Sequence, residues 1–301
     1  MTEQNCQNIA FTLAYLGTAY HGWQYQNNAI SIQQVMQEAI EKATGQAVTL
    51  SGCGRTDAGV HAKIYVANAK LATRIPLDKL PLAISAYLPE DISVSRATAV
   101  PDDFDARFSC RRKEYSYLIH NSRVRNPFYH NRAYFCPSAL DYDAMAAAAP
   151  HFEGRQDFAA VRSVGTPVRS TVRTMYYCRT EKQGDRITVR VCADGFLYNM
   201  ARAIAGTLLY CGLHKIQPEQ VPAILRAGDR EQAGPTAPAC GLYLTALEYG
   251  MEALEGRACN AAAGQCDPFP ARPAGPGVRP VQKRGPHRPF VLHGLLHLEL
   301  P

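Results

Sequence analysis

The chain has 301 residues, 47% hydrophobic and 19% charged, which is enough for two separate cores. Its net charge of +6 suits an anionic partner such as RNA, but ordinary enzymes carry as much, so charge alone decides nothing. Residues 1–8 are polar and read as no signal sequence, and no apolar run nears membrane-spanning length.

There are ten cysteines and no Cys-x-x-Cys pair. Cys53, Cys136, Cys178, Cys192 and Cys211 lie in apolar runs and read as buried free thiols, without the spacing of structural zinc. A reduced, cytoplasmic setting is expected.

Residues 9–16 read as a first strand, bounded by Gly17. The segment 17–26 follows, with Trp23 as a half-buried packing residue and base stacking as the alternative. Ser31 opens a helix, with Gln34 completing a capping box. Ile32, Val35, Met36, Ala39, Ile40 and Ala43 recur on one face, and Gly45 ends it. A strand over 63–71, a helix over 77–88 and a strand over 92–100 complete a strand-helix-strand-strand-helix-strand order, the ferredoxin-like arrangement.

Within that order the run from Ser51 to His61, SGCGRTDAGVH, forms a glycine-rich turn. In an extended chain, Arg55 and Asp57 would leave the same face. The cation would then hold the acid ionised, as a nucleophile or base requires. The plainer reading is a turn aspartate bonding its own backbone, with Arg55 in water. A dinucleotide fingerprint fails because Asp57 stands where the last glycine belongs, and no Gly-Lys-Ser/Thr follows for a P-loop.

Residues 111–117, RRKEYSY, interleave charge with rings. They fit either a nucleic-acid surface or a half-exposed strand with Tyr115 and Tyr117 on one face. The strand over 113–119 opens a second half that echoes the first. A helix over 141–151, a polar loop over 155–164 containing Phe158, and a hairpin of 172–178 with 186–192 follow. In 193–211, Leu197, Met200, Ala201, Ile204, Leu208 and Cys211 form one helical face. At about 100° per residue, Arg202 projects roughly 140° from its centre and shares the other side with Asn199 and Gly206. A helix over 217–227 precedes a closing strand with Leu242 and Leu244 inward.

These motifs, in this order over residues 9–250, resemble the TruA family, the tRNA pseudouridine synthases that modify the anticodon arm. The matching segments are GWQ at 22–24, GRTDAGVH at 54–61, PDDFDARF at 101–108 with KEYSY at 113–117, FLYNMARAIAG at 196–206, and TAP leading to GLYL at 236–244. The resemblance implies an α+β fold of two ferredoxin-like halves, residues 1–105 and 106–250, whose antiparallel or mixed sheets join around a central basic cleft. It implies Asp57 as the catalytic residue, Arg202 as its ion-pair partner, and Tyr115 and Arg55 as substrate-binding residues. Tyr115 would stack on the target uracil and exchange a proton with it, and an aliphatic residue near Leu244 would floor the site. The implied substrate is the tRNA anticodon arm, with uridines at positions 38, 39 and 40 converted to pseudouridine. A homodimer is implied, with no metal and no small-molecule cofactor. Glu114 departs from the family pattern, replacing a basic residue and weakening phosphate contact.

Residues 251–301 fall outside the resemblance. Eight prolines with glycine and arginine read as a disordered tail. His293-x-x-x-His297 lacks the remaining ligands of a metal site, and the short apolar end of the chain reads as a segment that docks or self-associates. The rival to an enzyme is a ferredoxin-like RNA-binding module, which has no need of Asp57 between Arg55 and Arg202. A hydrolase using Asp57 as general base lacks a candidate acid. Charged atoms of Asp57 and Arg202 near 3 Å support the site, and separation beyond about 10 Å defeats it.

Overall fold

The structure is a computed structural model describing residues 6–163, 165, 168–250 and 290–293. The first strand, β1 (Gln7–Tyr15), runs through the core, with Ile9, Phe11 and Leu13 at most 1% exposed. Helix α1 (Ile32–Thr44) starts where Ser31 accepts the Gln34 amide and stops at Gly45, whose φ of 74° suits glycine. The capping box is half formed, because the Gln34 side chain donates to Glu38 instead. Ile32, Met36, Ala39 and Ile40 are buried as the stripe predicts. Each large aliphatic side chain so buried contributes about 1.5–3 kcal/mol.

A short β2 (Ser51–Gly52) leads through the glycine-rich turn into β3 (His61–Leu71). Helix α2 (Leu80–Ser85) is shorter than predicted. Its start is delayed by a turn on the Pro76 carbonyl, and its end tightens into bonds from Tyr87 to Ile84 and from Leu88 to Ser85. Strand β4 (Ile92–Ala99) ends the first half.

The second half opens with β5 (Cys110–Asn121) and β6 (Tyr134–Cys136). Asp141 caps α3 (Tyr142–Ala148), which tightens into a 3-10 turn over Ala149–Phe152 at Pro150. The predicted polar loop is different in kind. It contains β7 (Gly154–Asp157), and Phe158, Ala160 and Val161 are fully buried behind it. Strands β8 (Val172–Gln183) and β9 (Arg186–Ala193) form the predicted hairpin, turning at Gly184. Helices α4 (Met200–Gly212) and α5 (Val221–Ala227) precede β10 (Leu242–Tyr249). The five cysteines expected inside are all buried thiols.

These elements make one mixed sheet of eleven strands in an α+β fold. In the first half β1 lies between β3 and β4, antiparallel to both, with β2 on β3. In the second half β5 lies between β10 and β9, antiparallel to both, with β8 on β9. Strands β6 and β7 extend it from β5 and β8. The halves meet in a parallel pair of β3 and β10, joined at Tyr243 with His61 and Leu244 with Ala62.

The tail prediction is corrected in one place. Residues 290–293 form a strand, β11 (Phe290–His293), antiparallel to β10 from Ala246 to Tyr249. His293 therefore sits on a strand and not on a helix, and this short apolar stretch docks on the body. The remainder of 251–301 lies outside the described residues, as does the Val164 end of the predicted loop. Among the described residues no helix is long and apolar enough to cross a membrane.

Candidate active site

The turn between β2 and β3 is fixed by backbone bonds and by side chains that reach it from neighbouring elements. The Trp23 amide donates to the Thr56 carbonyl at 3.2 Å, and the Val60 amide to the Asp57 carbonyl at 3.1 Å. The Tyr65 hydroxyl donates to the Gly54 carbonyl at 2.5 Å, and the Tyr15 and Thr56 hydroxyls are 2.9 Å apart. Trp23 is 2% exposed and stacks on Tyr65 at 4.1 Å, the packing role expected of it. Gly52 is required here, because a Cβ would lie 2.5 Å from the indole of Trp23.

His61 closes the turn. Its Nδ1 accepts the Gly17 amide at 3.0 Å, so its proton sits on Nε2, which faces the Cys240 carbonyl at 3.2 Å. Burial lowers its pKa from the usual 6.5, helped by the nearby Arg132 charge. In that window the unfolded chain binds more protons than the folded one, so stability rises with pH through it. The denaturation midpoint is therefore expected to fall between about pH 7.5 and about pH 5.5, and His61→Gln to flatten part of that fall. An unchanged slope in the variant would assign the fall to other groups.

Asp57 meets a cation from the opposite half. Arg202 Nη1 donates to Asp57 Oδ2 at 3.0 Å, with side-chain exposures of 18% and 24%. The guanidinium is held from two further sides. Nη1 also reaches Asn199 Oδ1 at 2.9 Å, and Nε donates to the Ala237 carbonyl at 2.8 Å. Asn199 stands in left-handed geometry, φ 61°, at the head of α4. Helix α4 is buried on nearly every side and not on one face, because the segment 233–238 covers the side that carries Arg202. Gly206 admits that segment. A Cβ there would run into the Pro235 carbonyl. Its smallness therefore admits the backbone that grips Arg202.

Arg55 does not pair with Asp57. A bend at 53–54 and a turn at 58–59 flank the two residues. Arg55 is exposed, with no ion pair among the described residues. Tyr115 lies on β5 opposite Leu244 of β10, 8% exposed, with the Phe196 ring edge-on at 4.9 Å. Burial first, then the neighbouring Cys53 and Asp57, push its phenol well above the ordinary range. It therefore stays protonated and can donate or stack, but cannot serve as a phenolate base. Glu114 points away from this site. Buried at 2% exposure, it accepts from Arg190 at 2.8 Å, from the Thr245 hydroxyl at 2.6 Å and from the Tyr177 hydroxyl.

Sequence reasoning missed Phe196 as an edge-on neighbour and the Ala237 carbonyl as the third hold on Arg202. Among the described residues no cluster of three or more His, Cys, Asp or Glu is placed to bind a metal ion.

The arrangement is a carboxylate fixed by a guanidinium beside a buried phenol, set where two similar half-sheets meet. A family model described as tRNA pseudouridine synthase matches residues 12–109 and 148–250. A curated relative from Thermoanaerobacter sp. (strain X514), named tRNA pseudouridine synthase A, is 46% identical over 243 residues, 81% of this chain and 100% of its own length. One of the same name from Caldicellulosiruptor bescii is 45% identical over the same shares, and one from Geotalea daltonii 41%. The chain belongs to the tRNA pseudouridine synthase family, and it is an isomerase acting on tRNA.

Proposed function

We propose that the enzyme converts uridine to pseudouridine at positions 38, 39 and 40 of the tRNA anticodon arm, with Asp57 as the catalytic carboxylate. The observation that carries this reading is the 3.0 Å pair of Asp57 with Arg202, each from a different half. The reaction breaks the bond from uracil to ribose, turns the base, and rejoins it through carbon. The target base first leaves its stack, at a cost of a few kcal/mol. Asp57 then attacks the sugar or the base, or takes a sugar proton, while Arg202 holds it in position. Tyr115 stacks on the flipped base over the Leu244 floor and donates a hydrogen bond to it. Exposed Arg55 holds the RNA backbone or helps displace the base. The chemistry calls on no metal or organic cofactor.

The strand orders β4-β1-β3-β2 and β10-β5-β9-β8 have the same pattern. They support two ferredoxin-like domains, 1–105 and 106–250, around a basic cleft. The enzyme works as a cytoplasmic homodimer that holds one tRNA across both subunits.

The test uses unmodified tRNA transcripts carrying a single uridine at 38, 39 or 40 in turn, with pseudouridine mapped after incubation. Product is expected at each of the three positions. Conversion confined to another part of the tRNA would overturn the assignment.

A further inference from the structure

Lys113 lies on β5 two residues before Tyr115, on the same face of the strand, with Ala193 of β9 and Leu247 of β10 as its neighbours across the sheet. Among the described residues its ammonium lies against no carboxylate. Nζ donates to the Cys53 carbonyl, inside the glycine-rich turn of the other half. A Cβ on Gly54 would stand 3.3 Å from that same nitrogen, so glycine keeps the place open for it. From the opposite side the turn is held by Tyr65, through the Gly54 carbonyl, and by Trp23 against Gly52. The second half thus holds the turn at the Cys53 carbonyl, at the Asp57 carboxylate and at the closing His61, and Lys113 supplies the first of these.

We propose that Lys113 is a positioning residue for the isomerisation. Acting through the Cys53 carbonyl, it sets the height of the turn over β5, and so fixes Asp57 relative to Tyr115 on its own strand. The proposal rests on the reading of Asp57 as the catalytic carboxylate. A neutral side chain of similar length should leave the RNA surface and the Arg202 pair in place but let the turn drift from Tyr115. Misplacement on the scale of 1 Å is enough to slow a reaction by about 100-fold.

The full-length protein carrying Lys113→Met or Lys113→Arg is assayed on unmodified tRNA, with tRNA affinity measured separately and Asp57→Asn run alongside. Lys113→Met is expected to lower kcat by about 10- to 100-fold, with KM and tRNA affinity within about twofold. Lys113→Arg, which keeps a charged donor for the carbonyl, is expected to recover most of the rate. Trp23 is the only tryptophan in the chain and touches the turn at Gly52, so its emission reports the turn directly. That emission should shift in Lys113→Met and return in Lys113→Arg. Should Lys113→Met fail to fold, Lys113→Gln carries the same measurements.

A kcat within about twofold of wild type would overturn the proposal, as would weakened tRNA affinity at unchanged kcat, which would make Lys113 a phosphate contact. An arginine variant as slow as the methionine one would overturn it too. If Asp57→Asn is inactive while Lys113→Met is fully active, only the brace fails. If Asp57→Asn is itself active, the reading beneath it fails.

Discussion

Asp57→Asn is expected to remove isomerisation by at least about 10³-fold, equivalent to about 4 kcal/mol of transition-state stabilisation, while tRNA is still bound. The substitution is nearly isosteric. The turn uses the Asp57 backbone carbonyl, which accepts the Val60 amide, and asparagine leaves that bond intact. The hydrogen bond recorded for the carboxylate is the one from Arg202, so an amide there changes chemistry and not architecture. A carboxamide is neither a useful nucleophile nor a base near neutral pH. Single-turnover pseudouridine formation and tRNA binding by fluorescence anisotropy separate the two effects. A variant that isomerises uridine as fast as wild type would remove carboxylate chemistry from the mechanism.

The second large effect is expected at Arg202. Arg202→Met deletes the cation beside Asp57 and leaves the Ala237 carbonyl and the Asn199 side chain without their donor. A fall in kcat of about 100-fold is expected, with a stability loss of about 1–3 kcal/mol from the partly buried groups left unpaired. Arg202→Lys should restore part of the rate and less of the stability. An ammonium supplies charge but cannot span the carboxylate, the asparagine and the backbone carbonyl with one planar fork. Combined with Asp57→Asn, the methionine variant should cost little further activity, because both changes break the same contact. Steady-state kinetics and denaturant midpoints read both quantities. An Arg202→Met protein with wild-type kcat would show that the pair only ties the halves together.

What the chain disclosed in advance followed the range of the interactions involved. The start of α1 at Ser31 and its stop at Gly45 are set by residues a few positions apart, and both were legible. So was the hairpin turning at Gly184. Helical spacing placed Arg202 away from the apolar face of α4, and the family resemblance paired it with Asp57, a residue 145 positions earlier. Of the two readings of Arg55, the plainer one fits: its side chain is exposed with no ion pair among the described residues, and Asp57 takes its cation from Arg202 instead. The one-sided reading of α4 failed because the cover over its far side comes from 233–238. Phe158, given to a polar loop, is core because it opens a 3-10 turn over Ala159–Val161 that packs against α4 and α5. Lys113 and the Cys53 carbonyl are 60 positions apart, and a backbone acceptor leaves no mark in a sequence.

Strand β11 has a consequence for solubility. Strand β3 takes only Tyr243 and Leu244 of β10, so residues 246–249 would otherwise present a row of unclaimed amides and carbonyls in the middle of the molecule. Open strand margins of that kind recruit strands from neighbouring molecules and seed insoluble aggregates. Here residues 290–293 of the same chain occupy the margin, in a stretch beyond the family match that ends at residue 250. The protein carries its own plug against fibre-like self-association.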